Sequence, residues 1–229
     1  MKKSASVLGL VAAVLFGCGQ VQATIDTLDN VPAPTLLLPN FEISTAPASR
    51  TVLTVGNRSA SDALAHVTLW TDRGVPTASF DVRLAALGVS EIDLSAVFTT
   101  GTLPQTTPGI FAGSCGATLP PAPLNAAELR NAHSGVASAL LGGQCGSSSH
   151  GDTVARGYVT IDATNACTTL VPGSAGYFVN GGTGIATNNN VLWGEVSTSH
   201  SGFSTATGDA LVALEASSSA PSTTGASDT

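Results

Sequence analysis

His150, Gly151 and Asp152 form a polar turn shortly after Cys145, and Arg156 and Asp162 follow on one face of the next apolar-polar alternation. Imidazole and carboxylate are ordinary ligands for zinc and related ions, so His150 and Asp152, with Cys145 nearby, are the metal candidates. Two ligands at i and i+2 without a clear third also arise wherever a loop enters a strand. In that favoured reading His150-Gly151-Asp152 makes the turn and Arg156 pairs with a neighbouring acid.

Other residue types could carry hydrolysis. Serines are abundant, and His66, His133, His150 and His200 could each serve as a base. A Gly-x-Ser-x-Gly strand-to-helix turn is absent, so no serine is marked as a nucleophile. Asp81, Glu91 and Asp93 are candidate carboxylates for glycoside chemistry, but Asp81 and Asp93 sit in alternating runs where outward, solvated acids are expected. Gly181-Gly182-Thr183-Gly184 lacks the lysine and the strand-loop-helix context of a phosphate loop, and reads as a turn. Asn188-Asn189-Asn190 could offer oxygens to calcium, yet no spaced acidic loop accompanies them. His66 and Trp70 share a strand face as a hint of a sugar-stacking patch, with His66 expected at or near the surface. No cofactor motif is found and none is expected.

Composition narrows the partners. The 229 residues carry a formal charge of −7, and the only two lysines are Lys2 and Lys3. They precede an apolar run from Val7 to Phe16 that ends in Val21-Gln22-Ala23, the pattern of a signal peptide over residues 1–23, cleaved before Thr24. A lipobox at Leu15-Phe16-Gly17-Cys18 is the alternative, with the chain anchored through a lipidated Cys18. Loss of both lysines lowers the charge by two, to −9. The remaining arginines, from Arg50 to Arg156, are scattered singly, which argues against nucleic acid and anionic lipid as partners. No later stretch is long enough for a membrane helix.

The elements that must hold these residues are mostly strands. Thr51–Val55, Ala65–Thr71, Ala78–Leu84, Val89–Leu94, Val154–Ile161, Val191–Val196 and Ala210–Glu215 are short alternating or apolar runs with turn residues between them. Asp72-Arg73-Gly74-Val75-Pro76 joins two of them as a hairpin. Asn57-Arg58-Ser59 matches a glycosylation pattern but reads as turn chemistry. Phe80, Trp70, Tyr158 and Trp193 are the bulky core candidates.

Residues 99–151 are rich in proline and glycine and hold one helix, expected over Asn125–Leu141 with Asn125 as cap, Glu128 at the capping-box position and Gly142-Gly143 as stop. Residues 24–34 are a polar lead-in. Residues 217–229 are a Ser/Thr-rich tail expected to be disordered.

Leu36–Ile43, Ala65–Asp72, Val75–Val82 and His150–Asp162 together resemble a family of secreted bacterial β-rich proteins that carry no established activity. The resemblance spans about Leu36 to Glu215, and it implies a further strand beyond Glu215 that this chain replaces with its tail. Leu53-Thr-Val-Gly-Asn57 and the following hairpin are more loosely similar to immunoglobulin-like modules of bacterial surface proteins, which implies binding or spacing.

The expectation is an all-β chain: one antiparallel, immunoglobulin-like β-sandwich over residues 35–216, with the 99–151 insertion packed across one end. Export places the cysteines in an oxidising compartment, and Cys115 is expected to pair with Cys145, since both flank the insertion's helix; a Cys145–Cys167 bridge is the alternative. The favoured role is a non-catalytic binding or structural module of the cell exterior or envelope, its partner unidentified. The alternative is a secreted hydrolase or metal-binding protein with its site at His150 and Asp152.

Overall fold

Apolar side chains at every second position give each strand one face to bury, and in the computed structural model these faces meet between two antiparallel sheets. The structure describes residues 31–44, 49–119, 122–200 and 206–216. The expected signal peptide with Cys18, most of the expected lead-in and the 217–229 segment lie outside the described residues.

One sheet has five strands in the order β4 (Pro76–Leu84), β3 (Ala63–Thr71), β6 (Val154–Thr164), β1 (Thr35–Ser44) and β9 (Val212–Leu214). The other has four, in the order β5 (Val89–Asp93), β2 (Ser49–Asn57), β7 (Leu192–His200) and β8 (Ala206–Ala210). Leu36, Val67, Val82 and Ile161 from the first meet Leu53 and Ile92 from the second in one core.

The β3–β4 turn forms as the sequence expects, with Thr71 donating its amide to the Val75 carbonyl. Asn57 is buried: its amide nitrogen donates to Ser61 and Ala85 carbonyls while its oxygen accepts from the Ser59 amide, so it organises the β2–β3 turn. The expected single strand Ala210–Glu215 is two strands in different sheets. Leu211 is buried at the switch, and its amide bonds the Gly194 carbonyl.

Two helices form rather than one. α1 (Leu94–Thr100) is capped by Asp93 Oδ1, which accepts from the Ala96 amide, and Gly101 ends it in the left-handed region. Leu94, Val97 and Phe98 at i, i+3 and i+4 supply its buried face.

α2 (Ala126–His133) begins at Asn125 as expected but stops early. Gly135 has φ of 79°, and a side chain there would press on the Ser149 backbone, so the chain turns away and makes only a 3₁₀ turn at Ala139–Leu141. Glu128 does not close a capping box; its carboxylate accepts from Ser138 Oγ and the Ala139 amide.

The core aromatics differ from expectation too. Phe80 is buried, but Trp70 and Tyr158 stack on the outer face of the five-stranded sheet with ring centroids 5.7 Å apart. Phe41, Phe98 and the His133 ring fill the space between sheet and helices instead.

The disulfide joins Cys115 to Cys167, and Cys145 is an exposed free thiol. The expected Cys115–Cys145 pair fails because the early end of α2 carries Cys145 to the surface beside β6. The segment after β6 meanwhile folds back over β4 and brings Cys167 within a Cα distance of 5.2 Å of Cys115. No helix among the described residues is long and apolar enough to cross a membrane.

Candidate functional site

At the expected site, His150 and Asp152 are both exposed. Asp152 is spent on Arg156: Nη1 and Nη2 donate to its two oxygens at 2.9 and 2.8 Å, and the Val154 amide bonds Oδ1. These donors, Arg156 foremost, hold the Asp152 carboxyl down at about 2. Arg156 also donates to Glu42 across the strand pair, which completes a surface ion cluster. His150 makes no hydrogen bond to it, and Asp162 lies six residues further along β6, about 20 Å away at strand rise. No group of three His, Cys, Asp or Glu able to hold a metal ion occurs among the described residues.

The residues brought together lie elsewhere. On the outer face of the five-stranded sheet, register pairs Asp81 with His66, His66 with Asp162 and Asp162 with Thr35, so four polar side chains cross four strands in a row. His66 Nδ1 lies 2.7 Å from Asp81 Oδ1, and the ring is fully buried. A carboxylate only accepts, so Nδ1 carries the proton and Nε2, which has no hydrogen-bond partner, is left with its lone pair when the ring is neutral. Asp162 accepts from Thr35 Oγ1 at 2.6 Å and from the Tyr177 hydroxyl at 2.9 Å. Burial pushes its carboxyl up, against the pull of those two hydroxyls and of His66. Burial and the Asp162 charge together raise the Tyr177 hydroxyl well above its usual range.

A strap formed by residues 165–187 encloses this row. Tyr177 and Phe178 pack edge to face under it, Tyr177 lies against the His66 ring, and the Asp81 second oxygen accepts from the Thr168 amide. Neither His66 nor Asp81 is therefore the surface residue that alternation alone suggested. Central strands covered on both sides lose their wet face, and β3 is buried at nearly every position.

His133 is equally enclosed. Its Nδ1 donates to the Arg156 carbonyl, its Nε2 accepts from Thr77 Oγ1 at 2.8 Å, and burial lowers the ring to about 4.

The two main clefts receive little of this chemistry. One of about 650 Å³ lies between β4 and the disulfide, with Phe80, Leu103, Leu119 and Leu124 in its wall and Asp81 at its edge. Both Asp81 oxygens are already bonded. The other, about 620 Å³, gathers Asn165, Asn188, Asn189 and Asn190 around Asp62, whose carboxylate is paired with Arg83. Asn190 anchors the segment after β9 through both its amide nitrogen and oxygen to Ala216, so the triple-Asn run is turn and clamp. Asn165 bonds the Gly184 carbonyl and fixes the glycine-rich turn. Asp93, expected to point outward, is half-buried, caps α1 and pairs with Arg50, while Glu91 is exposed. The His66–Trp70 patch is not formed, because Trp70 stacks on Tyr158 and donates Nε1–H to Thr160.

Comparison of the chain with protein-family models, with curated proteins and with solved structures finds no match.

Proposed function

We propose that this chain is a non-catalytic binding or structural module of the cell exterior or envelope, built on an immunoglobulin-like sandwich. The observation that carries the reading is the enclosure of the His66 row and of His133. His66 and His133, the two imidazoles with defined hydrogen bonds, are fully buried, and Asp81, Asp162 and Asp152 are bonded to neighbours. Catalysis needs a base, an orienting group and an electrophile stabiliser converging on a space a substrate can enter. Here Asp81 orients His66, but the free Nε2 edge lies under the strap. The Cys115–Cys167 bridge, the scattered arginines and the acidic balance accord with a role outside the cell that does not involve polyanions.

The test is turnover. Purified mature chain is assayed against ester, glycoside, peptide and phosphoester substrates with and without added zinc or calcium. The expected result is no turnover that depends on the protein. Saturable turnover abolished by His66→Asn, or by His150→Ala with Asp152→Ala, overturns the reading in favour of a hydrolase.

A further inference from the structure

The outer face of the four-stranded sheet carries a second, unspent arrangement. Gly56 of β2 is paired on one side with Val89 of β5 and on the other with Trp193 of β7. Directly paired residues project from the same face, so Val89 and Trp193 flank a position with no side chain. The indole of Trp193 fills it: a methyl group on Gly56 would overlap Cε2 and Nε1 of the ring. The tryptophan thus lies flat on the strand backbone, half-buried, with its other face outward.

The adjacent row has Thr54 between Glu91 and Glu195, both exposed; among the described residues neither is in an ion pair, and Glu91 lies in the field of Arg50, which Asp93 holds. Two strand spacings put those acids roughly 10 Å apart at the backbone, on either side of the line leading to the indole. Beyond Val89, which is 55% exposed, Leu87 is 71% exposed and has φ of 54°. It is the single non-glycine residue among those described in the left-handed region, where a leucine is strained. Its turn is hydrogen-bonded, with the Leu87 amide on the Ser59 carbonyl and the Gly88 amide on the Ala85 carbonyl, so the backbone is held while the side chain stands in water two residues before Val89.

An outward indole face flanked by two exposed carboxylates, neither in an ion pair among the described residues, is the complement of a guanidinium: the ring takes the flat cation and the acids take its N–H fork. We infer that this face docks an arginine-bearing segment of a partner protein, the arginine on Trp193 between Glu91 and Glu195 and an apolar neighbour against Val89 and Leu87. The inference rests on the binding-module reading and names that module's partner chemistry. Net charge of the chain favours the same partner, since acidic surfaces steer cationic ones.

The test uses the mature chain and a fluorescently labelled ten-residue peptide of arginine and serine with one central leucine, beside lysine and glutamate versions, in 0.15 M salt. The expected result is saturable binding, tightest for arginine and absent for glutamate. Trp193→Ala and the pair Glu91→Gln with Glu195→Gln should each weaken it at least about tenfold, a loss of roughly 1.4 kcal/mol. The charge-matched control Asp209→Asn with Glu215→Gln should leave it within about twofold. Equal weakening by the two charge-removing pairs means diffuse attraction and overturns the site, as does the absence of saturable binding. Either failure, in a chain that shows no turnover, overturns this surface alone. Turnover lost on His66→Asn overturns the module reading beneath it.

Discussion

His66 and Asp81 face each other across β3 and β4 with Nδ1 and Oδ1 2.7 Å apart, and neither side chain has access to bulk water worth the name. Removing one partner strands the other in a low-dielectric site, which costs far more than the pair contributes. His66→Ala should therefore lower stability by about 3–5 kcal/mol in urea unfolding. The double change His66→Leu with Asp81→Leu should cost less than either leucine change alone, the sign of coupling in a double-mutant cycle. Simple additivity would show that the pair is not the enclosed unit described.

Acid should destabilise the fold through His133. Its folded value is about 4 against an ordinary 6.5, so between these pH values the unfolded chain binds more protons. The neutral ring's contribution is complete above pH 6.5 and is lost as pH falls through about 4, amounting to about 3 kcal/mol. Asp162 acts in the opposite sense, because its raised carboxyl favours the fold at low pH and less as pH rises. The His133 share is isolated by comparing wild type with His133→Gln from pH 7 to 4. The variant should be less stable at pH 7 and show a shallower acid decline; equal slopes would remove His133 as the cause.

Non-reducing peptide mapping should recover a Cys115–Cys167 cross-link, and iodoacetamide without denaturant should label Cys145. The bridge spans a sequence separation of 52 and ties the insertion to the strap over the His66 row. Reduction should lower stability by about 4 kcal/mol through the loop-closure entropy restored to the unfolded chain. Recovery of a Cys145 cross-link would contradict the strap's placement.

Glycine substitutions should separate two kinds of close approach. Gly157→Ala drives a methyl into the Trp70 carbonyl of the neighbouring strand, and backbone has nowhere to go. Gly56→Ala meets only the Trp193 ring, which can lift off into solvent. The first should cost upwards of about 3 kcal/mol and the second about 1–2, with a changed tryptophan emission as the indole leaves the sheet. A larger cost at Gly56 would show that the ring is fixed by contacts other than the glycine.

Much of the sheet architecture could be read from alternation, since Leu53, Val67 and Ile161 face the core as the period of two requires. The His66–Asp81 pairing was not within reach of counting: Trp70 pairs with Pro76 next to the turn, which sets His66 opposite Phe80, and a bulge between Leu69 and Trp70 shifts the register by one to bring Asp81 there. What alternation does not carry is the strap. A segment rich in glycine and threonine gives no periodic sign that it will fold back and bury a polar row, so alternation alone leaves His66 and Asp81 solvated. Helix α1 had its signals in Asp93, the i, i+3, i+4 apolar set and Gly101, masked by the strand pattern running into Leu94. The cysteine pairing depended on where α2 stops, which a single glycine at 135 decides through tertiary contact.

The claim that the His66 row and His133 are shut inside the fold is tested most directly by diethylpyrocarbonate labelling of the native chain, with each histidine read by mass spectrometry. The exposed His150 should be modified in the native chain, while His66 and His133 stay unmodified until the chain is unfolded. Native labelling of His66 at a rate comparable to His150 would mean that Nε2 meets solvent, and would contradict the account of a closed, non-catalytic row.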